Sequence, residues 1–237
     1  MSEWAAKRFW TNAEVAEVEG GFSVTLDGRP VRTPFKSALV LPTRDMAEAM
    51  AAEWAAQDDQ VDPLSMPVTR SANSAIDKVA TQHGAVADML AAYAETDLLC
   101  HRAESPEELV RRQADGWDPI LIWAAETFGA PLVVTQGVLP ADQPEASLQA
   151  YGAAVASFAP FSLTALHDLV TLSGSLVLAL AVARGRITPE QAWSLSRIDE
   201  LWQIEQWGDD DEARDFAAQK QEAFLHAARF LELSGEA

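Results

Sequence analysis

The sequence predicts an α+β protein, with a small N-terminal α+β domain over residues 1–80 and a larger all-helical domain over 81–237. Three observations carry this. The first forty residues read as β, with Phe22-Ser-Val-Thr-Leu26 alternating and Asp27-Gly28 supplying the left-handed pair that a tight hairpin needs. After Arg70 the apolar residues recur at helical spacing. Between Leu172 and Val182 the chain is apolar nearly all round, which marks a helix at the centre of a bundle.

Taken in order, Val31 onward returns as the second arm of the hairpin, and Ala38-Leu-Val-Leu41 reads as a third short strand. Pro42-Thr43 opens a helix with Thr43 as N-cap, and spacing of four puts Met46, Met50 and Trp54 on one face. Residues 58–69 read as an ordered linker, because Val61, Leu64, Met66 and Val68 have apolar surface to bury. Ser105-Pro-Glu-Glu108 reads as a capping box that starts a helix, interrupted or kinked near Pro119. Pro131–Gln136 predicts an isolated strand, and 145–158 a helix stopped by Pro160. Leu163–Arg184 predicts one long helix ended by Gly185. Thr188-Pro-Glu-Gln191 caps the next helix, which Gly208 stops, and Asp209-Asp-Asp-Glu212 precedes the last, Phe216–Leu233.

The formal charge of −19 argues against nucleic-acid and membrane-surface partners, whose phosphates would repel the chain. One cysteine, Cys100, allows neither an intrachain disulfide nor a Cys-based zinc site and suits a reducing compartment. No h-region opens the chain, and the longest apolar run, Leu176–Ala183, is too short to span a bilayer. A soluble, cytoplasmic protein without membrane insertion is the expectation.

The most informative stretch is Ser196–Gly208. Read as one helix with what precedes it, it places Leu195, Ile198, Leu201 and Trp202 on one arc. Trp193, Ile204 and Trp207 fall on roughly the opposite arc, with Glu200 among them. One stripe suffices to dock a helix, so the second must meet another layer of the protein or another molecule. Trp207 and Trp193 are therefore candidate partner contacts, while Trp117, Trp123 and Trp202 read as core.

Signals for chemistry are weak beside this. His101 follows Cys100 without ligand spacing, and His167-Asp168 are neighbours on a helix and point apart, so each reads as structural. His83 and His226 read as surface or helix-end positions. Glycine-rich phosphate loops and the G-x-S-x-G elbow are missing, and Asp209–Asp211 lacks the rest of a calcium loop, so no cofactor, metal or nucleotide is expected. Glu53, Asp97, Asp118, Asp199, Glu200 and Glu205 could include an acid–base pair, with salt bridges to Arg102, Arg111 or Arg197 as the simpler reading.

An ordered set of segments resembles one family, the ATP12 assembly chaperones of the F1 part of ATP synthase. The set comprises Lys7-Arg-Phe-Trp10, Leu26-Asp-Gly-Arg-Pro-Val-Arg-Thr-Pro34, Leu41-Pro-Thr43, Glu53-Trp54 with Gln57, and Met66-Pro-Val-Thr69 leading to Ala75-Ile-Asp77. It continues with Tyr93, Thr96-Asp-Leu-Leu-Cys100, Arg102-Ala103, Gln113, Trp117-Asp-Pro119, Ser175-Leu-Val-Leu-Ala-Leu180, and Ser196-Arg197 through Gln206-Trp-Gly208. No single segment is diagnostic, and together they span nearly the whole chain. The resemblance implies a non-enzymatic chaperone that binds the unassembled α subunit of F1 and prevents its aggregation until it pairs with β. It maps the family's important acids onto Asp199 and Glu200 and its Glu-Trp tryptophan onto Trp54; Asp199 stands where a glutamate is usual. The presequence of mitochondrial members is missing, as in a bacterial cytoplasmic version. The rivals are an enzyme with a carboxylate or His site in a cleft between the domains, and an interaction module with another client.

Overall fold

A computed structural model describes residues 7–137 and 140–235. The fold is α+β, and the chain forms two compact units. The first comprises Met1–Gln82, Ala159–Thr164 and Arg229–Ala237, and the second comprises His83–Phe158 and Ala165–Ala228.

In the first unit, β1 (Ala13–Val18), β2 (Gly21–Leu26) and β3 (Arg29–Pro30) make an antiparallel sheet in that order. The expected turn joins β2 to β3, with Asp27 at φ +48° and Gly28 at φ +78°. The Asp27 carboxylate accepts the N–H groups of Asn12 at 2.9 Å and Thr11 at 3.0 Å, which hold it below the usual carboxylate range. Ala38–Leu41 is not a strand: it makes only single pairings, Leu41 with Phe22 and Ala38 with Arg32, and Pro42 cannot extend the ladder. The Leu41 carbonyl comes so close to β2 that a Cβ on Gly21 would sit 2.2 Å from it.

Helix α1 (Arg44–Ala55) packs on β1 and β2. Thr43 caps it as expected, its Oγ1 accepting the Met46 N–H at 3.1 Å, and Met46 and Met50 are fully buried. Helix α2 (Pro67–Ser74) begins inside the stretch read as a linker. It does so because Glu53 on α1 caps it: the carboxylate accepts Val68 N at 2.6 Å, Thr69 N at 2.8 Å and Thr69 Oγ1 at 2.7 Å. Met66 and Val68 are buried as expected, whereas Leu64, in the turn Pro63–Ser65, is exposed. Gln57 closes this loop, giving Nε2 to Glu53 O and Ser65 Oγ and accepting Asp62 N at 2.7 Å.

The second unit is built from α3 (His83–Ala91), α4 (Glu107–Phe128), α5 (Glu145–Ala156), α7 (Leu176–Ala183), α8 (Pro189–Ser196) and α9 (Ile198–Trp207). It also holds residues 165–173 of α6 (Pro160–Ser173) and 211–228 of α10 (Asp211–Leu233). A two-residue parallel pair, β4 (His101–Arg102) with β5 (Thr135–Gln136), is what remains of the strand expected over 131–136. Pro119 sits inside α4 without interrupting it. The expected capping box does not form; Pro106 itself takes the cap position, with ψ 160°.

The helix expected over 163–184 is two helices. Gly174 at φ +72° breaks it, and Ser175 caps α7. The fully buried Asp97 fixes this break, its carboxylate accepting Leu99 N at 3.0 Å, Ser175 Oγ at 2.7 Å and Val177 N at 3.0 Å. A carboxylate at the start of α7 meets the positive end of the helix dipole as well as orphan N–H groups. Helix α7 is then the bundle's centre, with Leu176–Ala181 at no measurable exposure. The helix expected to run on through Ser196–Gly208 also breaks, at Arg197 (φ −114°, ψ 12°), into α8 and α9. The Thr188–Gln191 capping box is present, and the final helix starts at Asp211 rather than Phe216.

A candidate client-binding face on α9

The candidate site grows from the way α4 holds α9. Gln113, buried on α4, accepts the Ala103 N–H at 2.8 Å with Oε1 and gives Nε2 to Asp199 Oδ1 at 2.6 Å. One turn on, Trp117 donates Nε1–H to Leu195 O at 2.8 Å. Between them Gly116 lets the elements approach: a Cβ there would lie 2.9 Å from Ile198 Cδ1 and 2.9 Å from Leu195 Cδ2. On the flank the Arg112 guanidinium lies over the Trp202 ring at 4.8 Å. Its Nη1 reaches the Glu205 carboxylate at 2.8 Å and its Nη2 the Glu108 carboxylate at 3.2 Å. Its hydrogen bond holds Glu205 below the usual carboxylate range.

Docked this way, α9 turns Trp202 inward and leaves a face outward. Trp207 is 79 % exposed, Leu201 47 % and Ile204 40 %. At about 100° per residue these three and Glu200 occupy roughly a third of the helix circumference, centred opposite Trp202. Glu200, part-exposed, is paired with Arg197 at 2.8 Å.

The residues singled out in the sequence therefore separate. Glu200 and Trp207 lie on the outward face. Asp199 is half-buried on Gln113. Trp193 is 6 % exposed, because the break at Arg197 puts it on α8 and out of phase with Ile204 and Trp207; its ring lies 5.6 Å from Phe224, with the Arg197 guanidinium 5.5 Å away. Trp54, in the first unit, is half-buried against Trp10 edge to face at 5.1 Å and accepts the Trp10 Nε1–H on its carbonyl at 3.2 Å. Leu201, which periodicity puts on the arc of Trp202, faces outward with Ile204 and Trp207 instead. Arg112 is not among the sequence candidates, and its i,i+4 relation to Glu108 is the one local signal for it.

The six carboxylates considered for acid–base work each have their own structural partner. Glu53 caps α2, Asp97 caps α7 and Asp199 holds Gln113. Asp118 pairs with the buried Arg102 at 2.7 Å, Glu200 with Arg197, and Glu205 with Arg112 rather than Arg111. His167 and Asp168 do meet, Nδ1 to Oδ1 at 2.8 Å, although neighbours on a helix were expected to point apart. His83 opens α3 with Nε2 2.7 Å from Phe158 O, and His226 lies within α10, half-buried. Burial and the nearby Asp97 push the Cys100 thiol up to about 12, which makes it unreactive. Among the described residues no group of three or more His, Cys, Asp or Glu could hold a metal ion, and no helix is long and apolar enough to cross a membrane. What the α9 face offers is adhesion: an aromatic and two aliphatic side chains set among fixed charges.

Comparison with known proteins gives this face a setting. Residues 7–125 match the family model of the ATP12 chaperone protein. Over 225 residues the chain is 23 % identical to the mitochondrial protein atp12 of Schizosaccharomyces pombe, covering 88 % of this chain and 76 % of that one. The crystal structure of Atp12 from Paracoccus denitrificans superposes with a TM-score of 0.94 at 54 % identity, over 97 % of this chain and 98 % of that one. A variant of the same Paracoccus protein, with an aspartate replaced by lysine, matches equally well. A protein of Agrobacterium tumefaciens matches at 43 % identity with a TM-score of 0.90, over 97 % of this chain and 85 % of that one. With half the chain matched by the family model and a relative more than half identical over nearly all of it, this chain belongs to the ATP12 chaperone family.

Proposed function

We propose that this chain is an assembly chaperone of F1-ATP synthase that binds the unassembled α subunit and keeps it from aggregating until α pairs with β. Membership of the ATP12 family is the observation that carries this reading. The outward face of α9 supports it, because solvent-facing tryptophan is a strong interface anchor and this one stands with two aliphatic neighbours.

We assign client contact to Trp207 and Glu200, with Leu201 and Ile204 beside them. Asp199 sets the angle of α9 through Gln113, and Trp193 and Trp54 brace their own units from within. The mechanism needs neither catalysis nor fuel. An unpaired α subunit exposes the surface meant for its neighbour, which is an aggregation hazard. A shield that binds this surface more tightly than α binds itself, and less tightly than β does, hands α over by mass action. The single cysteine, unable to form an intrachain disulfide, suits a reducing compartment, and we take the cytoplasm as its place of work.

The test is co-expression with isolated F1 α subunit. The expected result is soluble α that co-purifies with this chain and is released when β is added. Equal precipitation of α with and without the chain would refute the assignment.

A further inference from the structure

The charges around the α9 face define what it can hold. From Asp199 to Asp215 the sequence carries eight carboxylates and one cation, Arg214. Two more cations reach in from outside this stretch, Arg197 to Glu200 and Arg112 to Glu205, and Arg214 is taken up by Asp209 and Asp211. Of the other four, Asp199 is held by Gln113, and Asp210, Glu212 and Asp215 remain, all exposed. They stand where α10 begins, only three residues (208–210) beyond the end of α9. Phe216, in the first turn and a half of α10, is 58 % exposed, with the Lys220 ammonium 4.5 Å from its ring.

Resting on the client assignment above, we propose that this surface captures a basic amphipathic segment of the α subunit. Such a segment has apolar side chains that cover Leu201, Ile204, Trp207 and Phe216, and lysines or arginines that meet Asp210, Glu212 and Asp215. Charge complementarity selects it. An acidic or neutral segment of equal hydrophobicity brings like charges or none to a surface with a marked carboxylate excess, and desolvates them without compensation. An acidic rim also speeds encounter with a cationic client and lets the apolar contact set residence time.

The experiment uses the full chain against the F1 α subunit and against immobilised peptides tiling the α sequence. Bound peptides are expected to carry net positive charge, and Trp207→Ala is expected to weaken α binding at least about tenfold. The double variant Asp210→Asn/Glu212→Gln should weaken it several-fold, with a shallower dependence on salt, whereas Asp88→Asn/Asp142→Asn, removing the same charge elsewhere in the unit, should not. For the wild type, raising NaCl from 50 to 500 mM should weaken binding about tenfold. All four substituted acids are exposed, so unchanged melting temperatures serve as the folding control. Failure of the wild type to retain α would overturn the client assignment and this proposal with it. Retention of α with no response to salt or to Asp210→Asn/Glu212→Gln, or through acidic peptides, would overturn this proposal and leave the client assignment standing.

Discussion

Asp199 separates two ways in which an acid can matter to binding. Its Oδ1 lies 2.6 Å from Gln113 Nε2, and Gln113 is 2 % exposed with its other end on the Ala103 N–H. Asp199→Lys removes the acceptor, strands a buried amide N–H and sets an ammonium against a donor. An unsatisfied buried donor costs about 1–3 kcal/mol and the misplaced charge adds to it, so about 2–4 kcal/mol is expected in all. For a chain of this length each kcal/mol moves the melting temperature by roughly 2–4 °C, so a fall of roughly 4–16 °C follows. Asp199→Asn can keep an oxygen on Gln113 Nε2 and loses only the charge-assisted part, about 0.5–1.5 kcal/mol. The assay is thermal melting of both variants beside their binding to the α subunit. If Asp199 positions α9, binding falls with stability: Asp199→Lys loses α and Asp199→Asn largely keeps it. Loss of α binding by Asp199→Asn at an unchanged melting temperature would refute the positioning argument and put the carboxylate on the client.

Glu53→Gln should destabilise the first unit by about 1–3 kcal/mol, because one amide oxygen cannot replace a carboxylate that accepts from Val68 N, Thr69 N and Thr69 Oγ1; urea unfolding measures it, and an unchanged midpoint refutes it. Gly116→Ala sets a helix-propensity gain of about 1 kcal/mol against about 1–3 kcal/mol for displacing the Ile198 and Leu195 methyls, so a small loss of stability is expected. A rise in melting temperature would show that those methyls yield freely. Cys100, buried and pushed up to about 12, should resist alkylation at pH 8 in the native protein and react stoichiometrically in guanidinium. Native labelling at the rate of a free thiol would contradict that environment.

Local chemistry was legible in the sequence. The Asp27-Gly28 turn and the Thr43 and Thr188 caps all depend on residues within four positions of one another, and all three are present. The two helix breaks were not legible, because their causes lie far along the chain. Ser173-Gly174-Ser175 reads as a tolerable run inside an apolar helix until Asp97 is brought to it, about eighty positions away. The break at Arg197 similarly lies where Trp117 and Gln113 on α4 seize Leu195 O and Asp199. That second break explains a divided result at the candidate face. Periodicity places Ile204 and Trp207 opposite Trp202 because all three ride one helix, and it misplaces Trp193 because the helical phase does not carry across Arg197.

The segments that resemble the family also acquire a physical grammar once their contacts are known. Glu53 belongs with Val68 and Thr69 because one caps the other; Asp97 belongs with Ser175 and Val177 for the same reason. Ala103, Gln113 and Asp199 form a single chain of hydrogen bonds, and Trp117 with Leu195 lies beside it. Each of these contacts has a role in folding, because it satisfies a polar group that would otherwise cost about 1–3 kcal/mol when buried. Trp207 answers no such need. It closes α9 just before Gly208 with four-fifths of its surface in water, where an indole contributes little to stability and adds an adhesive patch. A residue that the fold does not require, on a helix that α4 holds through Gln113 and Arg112, is what supports the proposed client contact at Trp207.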